Sequence, residues 1–175
     1  MKGRTNLKIL ITGPPRSGKS TLIRRILDTL GPELFLIGFL TPEIIENGKR
    51  IGFNILDIKS SLRIPLARKG TMDSNYKLGN YNVFIETFEQ YLIALIEDLS
   101  KYRKKKNEKE LVLIIDEIGK MELFSDFFES FIKEVFHSNR TIIATIGEKL
   151  RHPIKNLLLL IPEIHKLCKR GNHRL

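Results

Sequence analysis

The stretch from Lys8 to Thr21, KILITGPPRSGKST, has residue types and a spacing suited to binding nucleotide phosphates. It follows the pattern G-x-x-x-x-G-K-[ST], set between a short apolar strand and residues with helical spacing. Gly13 and Gly18 allow a tight backbone turn whose N–H groups face the phosphates. Lys19 supplies positive charge for the β- and γ-phosphates, and the Ser20 hydroxyl is suited to bind Mg²⁺. The stretch therefore predicts a phosphate-binding loop.

Two carboxylates follow a second apolar run, Leu111–Ile115. Carboxylates are costly inside a hydrophobic strand, so we expect them where the strand ends. There Asp116 is predicted to hold Mg²⁺, commonly through water, and Glu117 to polarise the attacking water. The alternative is that both acids only begin a helix, whose N-terminal dipole end favours negative charge.

Several further side chains have two open interpretations. Lys120 either stabilises charge in the transition state or pairs with Glu122 on the surface. Thr145, at the end of the run TIIAT, either hydrogen-bonds the attacking water or γ-phosphate, or serves as a capping hydroxyl. Arg63 and Arg68 either reach a triphosphate or form a surface pair.

The other basic and metal-ligating residues give weaker signals. Arg151 and Lys155 either form a lid or are solvated loop charges. The run Lys101–Lys106 carries five positive charges and is either a solvated loop or a site for a polyanion. The four histidines show no spacing typical of a zinc site. We expect Mg²⁺ as the cofactor.

Hydrophobic periodicity and turn residues place these candidates on secondary structure. Residues 59–82 read as a polar loop with one short strand near 64–68 or 81–84, and residues 155–167 mix helix and strand signals. The clearer predictions are a strand at 8–12, a helix at 19–30, two strands joined at Asn47-Gly48, a helix from Phe84 to about Arg103, a strand at 111–115, a helix from about Ser125 to His137, and a strand at 141–146.

Alternating strands and helices predict an α/β fold with a mostly parallel sheet covered by helices on both faces. The Asn47-Gly48 turn adds an inserted β-hairpin. We expect one domain over residues 1–175. In such sheets ligands bind at the carboxyl ends of the strands, where both motifs lie.

Composition limits the class of protein. The net charge of +10 is compatible with an RNA partner, although charge alone does not require one. The single cysteine, Cys168, excludes a disulfide within the chain and favours a reducing compartment. No apolar run approaches the roughly 18 residues of a membrane span, so we expect a cytoplasmic protein.

Across residues 8–146 the chain resembles the THEP-type, or cancer-related, nucleoside triphosphatases. The resemblance rests on GPPRSGKST, GFLTPEIIENGKRIGFNI, RIPLARKG, LGNY and, above all, DEIGKMELF. It implies a RecA-like phosphate-loop fold that hydrolyses several nucleoside triphosphates to diphosphates with Mg²⁺. The nucleotide-binding residues implied are Gly13, Pro14, Pro15, Arg16, Ser17, Gly18, Lys19, Ser20, Thr21, Leu113, Ile114, Ile115, Asp116, Glu117, Ile118, Gly119 and Lys120.

The sequence also departs from this family's pattern. Arg16 stands where the family often has glycine, the segment 147–156 is unusually basic, and residues 172–175 resemble the family's terminal motif only weakly. Two other functions share the same motifs. A small nucleotide or nucleoside kinase would add an acceptor pocket, and a nucleotide-dependent RNA-associated switch would use turnover only as a timer.

Overall fold

The computed structural model describes residues 7–70, 74–104 and 109–168, without the side chains of residues 103 and 104. The elements in chain order are β1 (Lys8–Gly13), α1 (Lys19–Leu30), β2 (Phe35–Leu40), β3 (Glu43–Glu46), β4 (Lys49–Asp57), β5 (Arg63–Lys69), β6 (Tyr76–Leu78), β7 (Tyr81–Val83), α2 (Ile85–Lys104), β8 (Leu111–Ile118), a 3-10 helix (Glu122–Phe124), α3 (Asp126–His137), β9 (Thr141–Gly147), α4 (Pro153–Leu159) and β10 (Ile164–Cys168).

All described strands belong to one sheet, in the order β10-β1-β9-β8-β2-β4-β5-β7-β6, with β3 paired to β4. The strands from β10 to β2 are parallel, and antiparallel pairing begins where β2 meets β4. The predicted α/β fold with an inserted hairpin is thus confirmed. The insertion is larger than predicted, because the hairpin β3–β4 continues into β5, β7 and β6.

The strand β9 lies between the two strands that carry the motifs. Gly13 of β1 is level with Gly147 of β9, and Ile118 of β8 is level with Ile146. The carboxyl ends of β1, β9 and β8 therefore meet at one edge of the sheet. This arrangement brings the loop after β1 close to the acidic end of β8.

Helices cover both faces of the sheet, as predicted. On one face α1 inserts Ile23 among apolar side chains of the parallel strands, including Ile11, Ile114 and Ile143. On the other face α2, α3 and α4 pack on a larger core that reaches from β1 to β7. The rings of Phe39, Phe88 and Phe128 contact one another in that core.

The segment with mixed signals contains one helix and one strand. Pro153 occupies the first turn of α4, where its missing N–H costs nothing, and His152 caps the helix. The chain then forms β10, which pairs in parallel with β1 at the margin of the sheet. The terminal residues 172–175 and much of the basic run Lys101–Lys106 lie outside the described residues.

The strands of region 59–82 show why the sequence predicts a smaller insertion than the structure has. The region 59–82 contains both candidate strands, as β5 and β7, and also β6. Its sequence is polar, and its strands depend on hydrogen bonds to β4 and to each other rather than on a strong local pattern.

None of the helices in the described ranges is long and apolar enough to cross a membrane.

Candidate active site

The loop between β1 and α1 has the backbone that the glycine pattern predicts. Gly18, the residue before α1, is in the left-handed region with φ of 84°, which glycine adopts without steric cost. Arg16 is also left-handed, with φ of 60°. Arginine carries a Cβ atom, so this backbone conformation costs it steric strain that glycine would avoid.

Lys19 folds back into this loop. Its side chain is buried, and its Nζ donates to the carbonyl oxygens of Gly13 and Pro14, each at 3.1 Å. The hydroxyl of Ser17 is also buried and has no hydrogen-bond partner within the described part of the chain. An ammonium and a free hydroxyl donor thus stand where the pattern places phosphate oxygens.

Asp116 comes from β8 and meets side chains from two other elements. It is only 2% exposed, and the Thr145 hydroxyl of β9 donates to its Oδ1 at 2.5 Å. Burial raises the pKa of Asp116, while hydrogen bonds from Thr145 and Ser20 and the charge of Lys19 oppose that rise. Ser20 and Asp116, predicted from separate motifs, are therefore neighbours.

This pair of oxygen donors fits Mg²⁺. Magnesium in nucleotide sites keeps several waters and is held by one or two protein oxygens together with phosphates. Among the described residues, no group of three or more His, Cys, Asp or Glu side chains is arranged to hold a metal ion by itself. A hydroxyl and one carboxylate beside the phosphate loop are the donor set expected for a metal that arrives with a nucleotide.

Glu117 is partly buried at the same edge. Burial raises the pKa of its carboxyl, Asp116 raises it further, and Lys19 lowers it. Its Oε1 lies 3.6 Å from where a Cβ atom on Gly147 would stand, so the side chain is close to the end of β9. A carboxylate whose pKa is raised above its ordinary value is a better proton acceptor near neutral pH.

Of the two interpretations of Lys120, the structure excludes the surface pair with Glu122. Lys120 is exposed, but Glu122 is buried, with 5% of its surface exposed. The short 3-10 helix after β8 turns Glu122 inward, which the local sequence does not indicate. Burial is the main cause that raises the pKa of Glu122 to about 8, with Glu117 and Asp116 adding to it. Sequence reasoning thus missed a third carboxyl group near the site.

The structure gives three other candidates local partners. Thr145 donates to Asp116 from within β9, so its hydroxyl supports a predicted metal ligand instead of capping a helix. Arg68 donates to the carbonyl oxygen of Phe53 and to Oδ1 of Asn54, within the antiparallel insertion. Lys155 donates to the carbonyl oxygen of Glu148. Arg63 and Arg151 are exposed.

The fold and this edge of the sheet define a class of protein. A strand, a glycine-bounded loop closing on Lys19-Ser20 and a helix, with one strand between them and an acidic strand end, are the features of a phosphate-loop α/β protein. A family model described as NTPase matches residues 8–171. The chain belongs to this NTPase family.

Individual relatives agree with this assignment. The chain is 38% identical to a nucleoside-triphosphatase THEP1 of Aquifex aeolicus over 92% of its own length and 85% of the relative's. It is 34% identical to a cancer-related nucleoside-triphosphatase homolog of Mus musculus, over 90% and 82% of the two chains. A crystal structure of THEP1 from Aquifex aeolicus superposes with a TM-score of 0.80 at 34% identity, covering 96% of this chain and 92% of that one. The family resemblance seen in the sequence is therefore confirmed.

Proposed function

We propose that the protein hydrolyses nucleoside 5'-triphosphates, with Mg²⁺, to nucleoside diphosphate and phosphate. The observation that carries this proposal is the meeting of the Lys19 loop with Asp116 and Glu117 at one edge of the sheet. The names of the relatives, nucleoside-triphosphatase in each case, support the same reaction.

The roles follow from what each group can do. Backbone N–H groups of residues 16–20 and the Lys19 ammonium bind the phosphates, and Lys19 exchanges its two carbonyl partners for phosphate oxygens. Ser20 and Asp116 hold the Mg²⁺, which when bound neutralises charge on the phosphates. Glu117 accepts a hydrogen bond from the attacking water and so polarises that water. Lys120, exposed beside this edge, stabilises charge that develops during transfer.

Base specificity is expected to be broad. Every role assigned above is toward a phosphate, the metal or the water, and the triphosphate group is common to ATP, GTP, CTP and UTP. Phosphoryl transfer depends on positioning and electrostatics around those groups. We therefore expect hydrolysis of all four nucleotides.

The first test is phosphate release by the purified protein with Mg²⁺ and each of the four nucleotides, without an acceptor. Release from several of them, lost with EDTA, is expected. Tight binding without release would contradict hydrolysis and favour the kinase or the RNA-activated switch, which acceptor and RNA additions would then distinguish.

Glu117→Gln tests the assigned role of the carboxylate. The amide keeps the size of the side chain but cannot accept a proton, so turnover should fall by about 10²–10⁴ while binding of the Mg²⁺–nucleotide stays near normal. Steady-state phosphate release and isothermal calorimetry measure the two quantities. The exposed residue Glu134 provides a control, because Glu134→Gln makes the same chemical change on the outer side of α3. Unchanged turnover in Glu117→Gln would show that the Glu117 carboxylate does not activate the water.

Lys19→Ala tests the phosphate loop itself. The substitution removes the ammonium from the loop, so both nucleotide affinity and turnover should fall. Calorimetry with a nucleotide and Mg²⁺ measures the affinity, and Lys133→Ala, at a partly exposed lysine paired with Glu129, is the matched control. Equal affinity in Lys19→Ala and wild type would contradict this assignment.

A further inference from the structure

Glu122 is a buried acid that the mechanism above does not use. It begins the 3-10 helix that follows β8, and no described lysine or arginine forms an ion pair with it. The backbone N–H groups of Glu122 itself and of Gly119 instead interact with its carboxyl group and lower its pKa. A buried acid whose carboxyl group lies against the backbone of the neighbouring turn is well placed to fix that turn.

Gly119 shows how closely this carboxyl group is packed. A Cβ atom built on Gly119 would lie 2.6 Å from Oε2 of Glu122 and 3.3 Å from Oε1 of Glu117. The φ angle of Gly119 is not positive, so the backbone does not require glycine there. The absence of a side chain is instead what allows both carboxyl groups to approach the position that a Cβ atom of residue 119 would take.

We propose that Glu122 is a positioning residue for hydrolysis, which packs against Gly119 and accepts its N–H so that Glu117 is held facing the phosphate loop. This inference rests on the proposed function, since it concerns the same attacking water. Residues 117–119 lead directly from the carboxylate to the turn that Glu122 holds. A shift of about 1 Å in a catalytic group can lower a rate by about 100-fold, so a fixed turn matters for turnover.

The chemistry of the group suits this role. Burial and the two nearby carboxylates raise the pKa of Glu122 to about 8, so most molecules carry it protonated at pH 7. A protonated carboxyl group adds no second negative charge beside Glu117, and its oxygen still accepts a backbone N–H. Glutamine has nearly the same shape and also accepts through one oxygen, which makes it the conservative replacement.

The experiment compares four variants with wild type at pH 7 in Mg²⁺ and ATP. Glu122→Ala removes the carboxyl group, and Glu122→Gln retains an acceptor oxygen of the same reach. Gly119→Ala places a Cβ atom against both acids, while Gly147→Ala adds one at an ordinary contact distance of 3.6 Å from Glu117 and is the matched control. The measurements are kcat, KM, the dissociation constant of the Mg²⁺–nucleotide, and the thermal midpoint of each variant.

The expected pattern separates positioning from stability. Glu122→Ala and Gly119→Ala should lower kcat about 10- to 100-fold with KM and the dissociation constant nearly unchanged. Glu122→Gln and Gly147→Ala should keep kcat close to wild type.

Three results would overturn the inference: unchanged kcat in both Glu122→Ala and Gly119→Ala, a loss confined to KM, or a Gln variant as inactive as the Ala variant. The last would make the acid itself catalytic. If Glu122→Ala does not fold, Glu122→Gln and Gly119→Ala still decide the question. Absence of hydrolysis in the wild type would instead defeat the proposed function.

Discussion

Three carboxylic side chains, Asp116, Glu117 and Glu122, lie in or directly behind the candidate site, and the pKa of each is raised with burial as the largest cause. Lys19 lowers the pKa of the first two. Acids of like charge in a poorly solvated place weaken the folded state, because their charged forms lose hydration and repel one another. The site is therefore built at a cost in stability that a bound cation such as Mg²⁺ would offset.

Glu122→Gln should make this cost measurable as a pH dependence of the free energy of unfolding. The pKa of Glu122 is about 8 in the folded protein, against roughly 4.3 in an unfolded chain. Between these values the folded state keeps a proton that the unfolded state has lost, so wild-type stability falls as pH rises. The amide does not titrate. The free energies of unfolding of the variant and the wild type should therefore be nearly equal near pH 4.5. Above that pH the variant should become more stable than the wild type, by up to about 1.4 kcal/mol per pH unit until pH 8.

Urea denaturation of both proteins at pH 5, 6.5 and 8 tests this prediction. Glu134→Gln, at an exposed position on α3, is the control and should show a difference from wild type that does not change with pH. A constant difference for Glu122→Gln as well would mean that Glu122 is ionised at neutral pH, contrary to the burial seen here.

At the scale of elements, β9 connects the two motifs. It lies between β1 and β8, and Thr145 reaches from it to Asp116. The hydrophobic patterns of β1, α1 and β8 are strong enough to predict these elements from the sequence. For β8, however, the apolar run predicts a strand that ends at residue 115. The strand continues to Ile118 because it stays paired with both neighbours, Asp116 with Leu40 of β2 and Ile118 with Ile146 of β9. The hydroxyl groups of Thr145 and Ser20 hydrogen-bond the buried Asp116 there. That reason lies in tertiary contacts, which a local pattern does not contain.

Glu122 and the strand β6 were missed for the same kind of reason. The spacing of Lys120 and Glu122 is compatible with a surface pair, and only the 3-10 helix after β8 directs Glu122 into the core. The three residues of β6 are held by pairing with β7. Local patterns therefore identified the phosphate loop and the acids at the strand end, whereas the packing behind them required the structure.

Thr145→Val tests the contribution of β9 to the metal site. Valine keeps the shape of threonine but cannot donate to Asp116, which leaves a buried carboxylate with one hydrogen bond fewer and a higher pKa. A carboxyl group that is less well oriented and holds its proton more tightly against Mg²⁺ should bind the metal more weakly, by about 10-fold for a lost hydrogen bond of 1–2 kcal/mol. The Mg²⁺ concentration that gives half-maximal phosphate release measures this effect.

Thr145→Ser is the matched variant, since it keeps the hydroxyl and loses only a methyl group. It should show nearly the wild-type requirement for Mg²⁺. An unchanged requirement in Thr145→Val would show that the hydrogen bond from β9 does not contribute to the metal site.

At the scale of the whole molecule, the larger hydrophobic core joins the parallel and the antiparallel parts of the sheet. It contains Leu10 of β1 and Ala144 of β9 as well as Leu66 of β5 and Val83 of β7, with α2 and α3 packed across them. Phe39 is fully buried in this core, and its ring contacts those of Phe88, Tyr91 and Phe128. A core shared in this way predicts that the two parts of the sheet unfold together, as one domain.

Phe39→Ala tests this prediction. Removing a fully buried ring should lower the free energy of unfolding by about 3–5 kcal/mol, and the loss should be equal for amides in β9 and amides in β5. Native-state hydrogen exchange, resolved by peptide, measures the opening free energy of each strand. Phe127→Ala, at a more exposed ring on α3, should change both strands only slightly. If Phe39→Ala lowered the protection of one strand and left the other unchanged, the antiparallel insertion would be a separate folding unit, and the phosphate loop would not depend on it for stability.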